Sequence, residues 1–215
     1  MPDSIVFVGT SHLDPRGRRR LPSMLGFLSP DIVAVEIDAA HIDNIAWTEE
    51  DISDKTTAML LKYPGSHYAT VDWIARNYAY EYRVSKEHCV SNGSDLYCID
   101  DSMEDNPAAP QIDTGRLLAM PLDRLLASGA SKYGDNVNID SKHLSWLQAR
   151  DDVMESRIRD MPGRVLFVGG AGHVFADYGN LYDRFADSDV ARYSLNMVGS
   201  PNWMKRVEGA LPLKW

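Results

Sequence analysis

Twice the sequence sends a histidine off the end of an apolar run through glycine. In VFVGTSH (6–12) His12 follows Gly9 by three positions, and in VLFVGGAGH (165–173) His173 follows Gly170 by three. Imidazoles placed this way can ligate a divalent metal or move a proton. Carboxylates close two further apolar runs: Glu36 and Asp38 in DIVAVEID, Asp100 and Asp101 in DLYCIDD. Histidines and carboxylates gathered at strand ends make up a hydrolytic or metal site. Glu36 sits inside a stretch otherwise built to be dry, where an unpaired carboxylate costs several kcal/mol. It must meet a cation, a metal or a hydrogen-bond network, and a structural ion pair satisfies that demand as well as a site does. Asp38 reads equally as a helix cap and as a site residue, and Asp14 reads as a cap.

Two helical patterns carry charge where apolar residues belong. Over 140–163, Leu144, Leu147, Met154, Ile158 and Met161 follow spacings of three and four with one gap, which Asp151 fills beside Arg150. The pair is either an internal salt bridge or an arginine facing a cavity, where it would steady an anionic intermediate or a substrate carboxylate. Over 66–93, Ile74, Tyr78, Glu81 and Ser85 share a stripe, which turns Glu81 inward. His41, His67, His88 and His143 lack partners at metal-ligand spacing and read as surface or core residues. GGAGH is not a dinucleotide loop, because Phe175 stands where the third glycine of GxGxxG belongs, and no GxxxxGK occurs. Its glycines let backbone or ligand approach closely.

The elements that must position these groups follow from the same patterns. The runs 4–9, 31–37, 95–99 and 164–170 are short, continuous and rich in β-branched residues, as strands buried on both faces of a parallel sheet are. Asp14-Pro15 reads as the start of a helix that Pro22 delays or kinks and Ser29-Pro30 ends. The 66–93 helix closes at Asn92-Gly93, and the 140–163 helix starts at Asp140 or Ser141 and stops at Pro162-Gly163. Strands alternating with helices predict an α/β fold, a mostly parallel sheet flanked by helices, in a single domain over 1–215. The stretch 102–139 reads as a helical and loop insertion or lid. In open α/β sheets ligands bind outside the carboxyl ends of the strands, where these histidines and carboxylates fall.

Composition narrows the function. The 215 residues suit one domain with a full core, and a formal net charge of −9 argues against nucleic acid as a partner. The basic run RGRRR (16–20) reads as a solvated helix face. No apolar stretch approaches the ~20 residues that span a bilayer, so no membrane partner is expected. MPDSIVFVGT reads as a strand rather than a signal peptide. Cys89 and Cys98 lack a metal-type CxxC spacing and read as free thiols, which points to a cytoplasmic protein. A homo-oligomer is left open.

The ordered set VGTSHLD, PDIVAVEID, Glu81 in YEYRVSKE, GSDLYCIDDS, ARDDVMESRI and RVLFVGGAGHV resembles the TraB/Tiki superfamily, with more distant ChaN-like and erythromycin-esterase-like relatives. The likeness spans nearly the whole chain except 102–139 and the tail after 180. It implies an α/β fold with paired GxxH motifs, a strand glutamate (Glu36) and a helix arginine (Arg150). In Tiki-like members the histidines bind a divalent metal for peptide hydrolysis, whereas TraB-like members inactivate or regulate peptide pheromones. The chain departs from the family at Ala149, where an acid often precedes the helix arginine, and at Asp101, where an arginine is usual.

The resulting expectation is a metal-dependent hydrolase of peptide or amide bonds acting on a peptide or small molecule. His12 and His173 would ligate Mn²⁺, Co²⁺ or Zn²⁺, with Glu36 as third ligand or general base, Arg150 stabilising the oxyanion and Glu81 orienting a histidine or shuttling a proton. The alternatives are a metal-free histidine/glutamate hydrolase, and a non-catalytic regulator that binds a peptide or an ion.

Overall fold

The computed structural model describes residues 1–101, 107–110, 113–130 and 139–215. The four expected apolar runs are strands: β1 (Ser4–Thr10), β2 (Ile32–Asp38), β3 (Asp95–Asp100) and β4 (Arg164–Gly170). A fifth, β5 (Val190–Ser194), completes a sheet of order β3-β2-β4-β1-β5 in which every pairing is parallel. β1 and β4, central in the sheet, are apolar along nearly their whole length because helices cover both faces.

The helices among the described residues are α1 (Gly17–Leu28), α2 (Glu49–Lys62), α3 (Tyr68–Asn77), α4 (Tyr80–Asn92), α5 (Thr114–Leu118), α6 (Leu122–Ala130), α7 (Leu144–Arg159), α8 (Ala171–Phe175) and α9 (Trp203–Glu208). Val6 and Val8 of β1 face a core with Leu21, Met24 and Leu25 of α1 and Tyr80 and Val84 of α4. Ile5 and Phe7, the alternate residues, face a second core with Met154 and Ile158 of α7 and Leu181 and Phe185. Period-two alternation in a buried strand thus serves two helical layers at once. No helix among the described residues is long and apolar enough to cross a membrane.

Several expected boundaries are corrected. The 66–93 helix is two helices, since Tyr78 is extended and Ala79 takes a left-handed φ of 52°. The break starts α4 afresh under the sheet edge, where the Tyr80 ring fills the space that Gly17 leaves by lacking a Cβ. Asp14 does not cap α1 directly. It accepts from the Arg16 backbone N–H (2.9 Å) and from Arg20 (3.0 Å) in a turn before the helix, which then runs through Pro22 to a left-handed Ser29. The 140–163 helix opens as a 3₁₀ turn capped by Asp140 and ends at Arg159. Asp38 is a cap, accepting from the Ala40 N–H at 2.9 Å.

Part of the 102–139 insertion is described, and the rest lies outside the described residues. α5 and α6 pack beside α3: Leu118 and Leu125 are buried, and Thr70 donates to the Met120 carbonyl at 2.6 Å. The end of α6 reaches the loop that carries His12, where the Ser11 hydroxyl donates to the Gly129 carbonyl at 3.0 Å. A Cβ on Gly129 would stand 2.1 Å from the Leu13 carbonyl oxygen, a backbone atom that cannot swing aside. Gly129→Ala is therefore expected to destabilise the fold by about 1–3 kcal/mol in urea unfolding, as overpacking does. An unchanged midpoint would mean that α6 does not bear on the His12 loop.

Candidate functional site

The chain leaves β1 toward β2 on one side of the sheet and leaves β4 toward β5 on the other, although β1 and β4 are neighbours. That reversal makes the carboxyl ends of β1 and β4 a switch point, where open α/β sheets leave a crevice for ligands. His12 follows β1 there and His173 sits in α8 directly after β4. The strands pair Gly9 with Gly169 and Thr10 with Gly170. The two GxxH motifs are thus offset by one position in the sheet, and their match in sequence is not a match in register.

The glycines let side chains pack close against the strand ends. A Cβ on Gly169 would stand 2.8 Å from Glu36 Oε2, and one on Gly9 would stand 2.6 Å from the Phe175 ring. The Cβ position left vacant at Gly170 lies 3.2 Å from Glu36 Oε2 and 3.3 Å from His12 Nε2, so those two atoms flank one small space.

Glu36 is the hub. Its Oε1 accepts from Arg150 Nη2 at 2.6 Å and lies 3.1 Å from His173 Nε2, while its Oε2 accepts the Gly170 backbone N–H. Burial alone would raise its pKa, but His173 and Arg150 beside it hold it well below the usual carboxylate range. Arg150 also donates through Nε to Asp100 Oδ1 (2.9 Å) and through Nη2 to Asp100 Oδ2, and its guanidinium stacks 4.5 Å from the centre of the Trp146 ring. The charged residue beside the apolar stripe of α7 is therefore a cation shared by two buried carboxylates.

Each histidine is held through Nδ1. His12 Nδ1 lies 2.9 Å from Glu81 Oε1, which the Thr10 hydroxyl also reaches at 3.0 Å. His173 Nδ1 lies 2.5 Å from Asp151 Oδ1, and Tyr178 donates to Asp151 Oδ2 at 2.9 Å. Asp151 is fully buried. Loss of water works against a charge on either ring, more so on the enclosed His173 than on His12, whose accessible surface makes its shift the weaker of the two. The neighbouring carboxylates win in both, Glu81 raising His12 and Glu36 with Asp151 raising His173 to about 9. The two differ in access. Of the His12 side chain 59% is exposed, against 3% for His173, so the crevice opens on the His12 side.

Comparison with family models, with curated proteins and with solved structures returned no match to this chain. Its site has to be read from its own geometry. The structure brings together His12, Glu36, Glu81, Arg150 and His173 with Asp100 and Asp151, all named from the sequence, and adds Thr10. Tyr178 carried no sequence signal, because it lies in an irregular segment with no periodicity to break.

The donor types are those a divalent cation takes: two imidazoles, each held from behind by a carboxylate, and Glu36, whose Oε2 flanks with His12 Nε2 the space that a Cβ on Gly170 would fill. Among the described residues no three His, Cys, Asp or Glu side chains converge as ligands as they stand. His173 Nε2 and Glu36 Oε1 are hydrogen-bonded to each other instead.

Proposed function

We propose that this protein hydrolyses peptide or amide bonds at the crevice between β1 and β4, with His12, His173 and Glu36 holding a divalent cation such as Mn²⁺, Co²⁺ or Zn²⁺. The observation that carries the reading is the Nδ1 tether on both histidines, which leaves both Nε2 atoms on the Glu36 side. Carboxylates behind ligating histidines fix the tautomer and aim the ring, which is the part Glu81 and Asp151 are placed to play. A bound cation would supply Lewis acidity toward a carbonyl and make water nucleophilic near neutral pH. Arg150 neutralises Glu36 and Asp100 and fixes their carboxylates, and substrate approaches from the exposed His12 side. The ordered motifs that resemble the TraB/Tiki superfamily support the same reading.

The alternative is a metal-free variant in which a histidine acts as base. Because the neighbouring carboxylates favour the doubly protonated ring, that histidine would first have to lose a proton, just as cation binding requires.

The test is calorimetric titration with Mn²⁺, Co²⁺ and Zn²⁺ at mildly alkaline pH, followed by peptide-library turnover. One equivalent is expected to bind, and His12→Ala and His173→Ala are each expected to weaken binding by at least about 100-fold, the upper end of what removing a supporting residue costs. Turnover should vanish with chelator and return with the cation. Chelator-insensitive turnover, or cation binding without turnover of any peptide, would overturn the hydrolase reading as stated.

A further inference from the structure

We propose that Tyr178 is a positioning residue for His173, acting through Asp151. The inference rests on the reading above in taking His173 Nε2 as a working atom. Asp151 contacts His173 through one oxygen and Tyr178 through the other, at 2.5 and 2.9 Å. A carboxylate held on one side only can turn about its Cβ–Cγ bond and carry the imidazole with it. A donor on the second oxygen fixes the carboxylate plane, and with it the ring.

The other histidine is held differently. Glu81 contacts His12 through Oε1, and the Thr10 hydroxyl reaches that same oxygen while also lying 3.0 Å from the Gly169 carbonyl. It is Asp151 whose two oxygens are divided between an imidazole and a hydroxyl.

The segment that presents Tyr178 is fastened at both ends. Tyr182 N–H donates to the His173 carbonyl at 3.3 Å. The buried Asn180 donates to the Ala176 carbonyl (2.6 Å) and accepts the Asp183 N–H (3.2 Å), and Gly179 makes the turn with φ 71°. Arg184 then reaches back to Asp152 and Glu155 on α7, the helix that carries Asp151. Helix α7 and the 176–184 segment therefore clamp the phenol against the carboxylate.

The test is Tyr178→Phe, which removes one oxygen and keeps the ring. Two readouts decide it: Co²⁺ affinity, and the imidazole Nδ1–H resonance of His173 in the cation-free protein. Co²⁺ affinity is expected to fall about 10–100-fold. The resonance should shift and exchange faster with water. On an Asp151→Asn background the same substitution should change neither, since the contact runs through that carboxylate. If wild type binds Co²⁺ and Tyr178→Phe matches it in both readouts, or loses only thermal stability, the positioning role is overturned and the functional reading stands. If wild type binds no cation, the functional reading fails, and the resonance alone decides: moved, it supports the role of Tyr178, and unmoved, it overturns it.

Discussion

Arg150→Met is expected to destabilise the protein by about 3–5 kcal/mol at neutral pH, the cost of removing one partner from a buried ionic cluster. Methionine fills much of the same volume, so the loss is one of charge rather than of packing. Glu36 and Asp100, with side chains 5% and 6% exposed, would face each other without the cation they share. The effect also has a pH signature. In the wild type the folded pKa of Glu36 lies below its ordinary 4.5, so its contribution is present above that pH and is lost as pH falls through the folded value. Without the guanidinium that difference shrinks, and the gap between variant and wild type should narrow on acidification. Urea unfolding at neutral and acidic pH measures both quantities. A loss under about 1 kcal/mol would show that the two carboxylates do not depend on Arg150. Arg150→Lys should fall between, because an ammonium keeps the charge and loses the fork that reaches two oxygens of Asp100 and one of Glu36.

Much of this cluster was legible before any fold was known, and the reasons differ from residue to residue. Glu36 was visible because burial makes an exception conspicuous: one carboxylate in an otherwise apolar strand has to be answered by something. Asp151 was visible for the same reason, as the polar residue filling a gap in an apolar stripe. The break at Ala79 was invisible, since neither glycine nor proline marks it. Its cause is tertiary: α4 restarts where Tyr80 can fill the space over Gly17 and Glu81 can meet His12. Strand β5 escaped notice because VARYS carries polar residues at an edge, where alternation over five residues is weak. The two GxxH motifs fall one position out of step for a physical reason. Sheet register is set by the strands' hydrogen bonds, which place Gly9 opposite Gly169 whatever follows them.

The second large effect is on the alkaline side, and it separates the cation-free protein from the loaded one. The folded pKa of His173, about 9, lies above its ordinary 6.5, so its charged form contributes stability that is fully present below pH 6.5 and lost as pH rises through about 9. For a side chain this buried the loss is on the order of 3 kcal/mol, and His173→Gln should flatten the profile across that window. His12 titrates over the same range but is largely exposed, so solvent screens its share. A divalent cation replaces two imidazolium protons with the same total charge, so the net charge of the cluster is unchanged while both rings become neutral. Binding should therefore release close to two protons at neutral pH, read from the dependence of calorimetric enthalpy on buffer ionisation. Apparent affinity should rise steeply with pH, by as much as ~100-fold per unit where both protons must leave, and level off near pH 9. Release of less than one proton would remove the histidines from the ligand set. An alkaline profile that stays flat in the cation-free wild type would mean that His173 is neutral in the fold, and that the carboxylates around it are balanced in some other way.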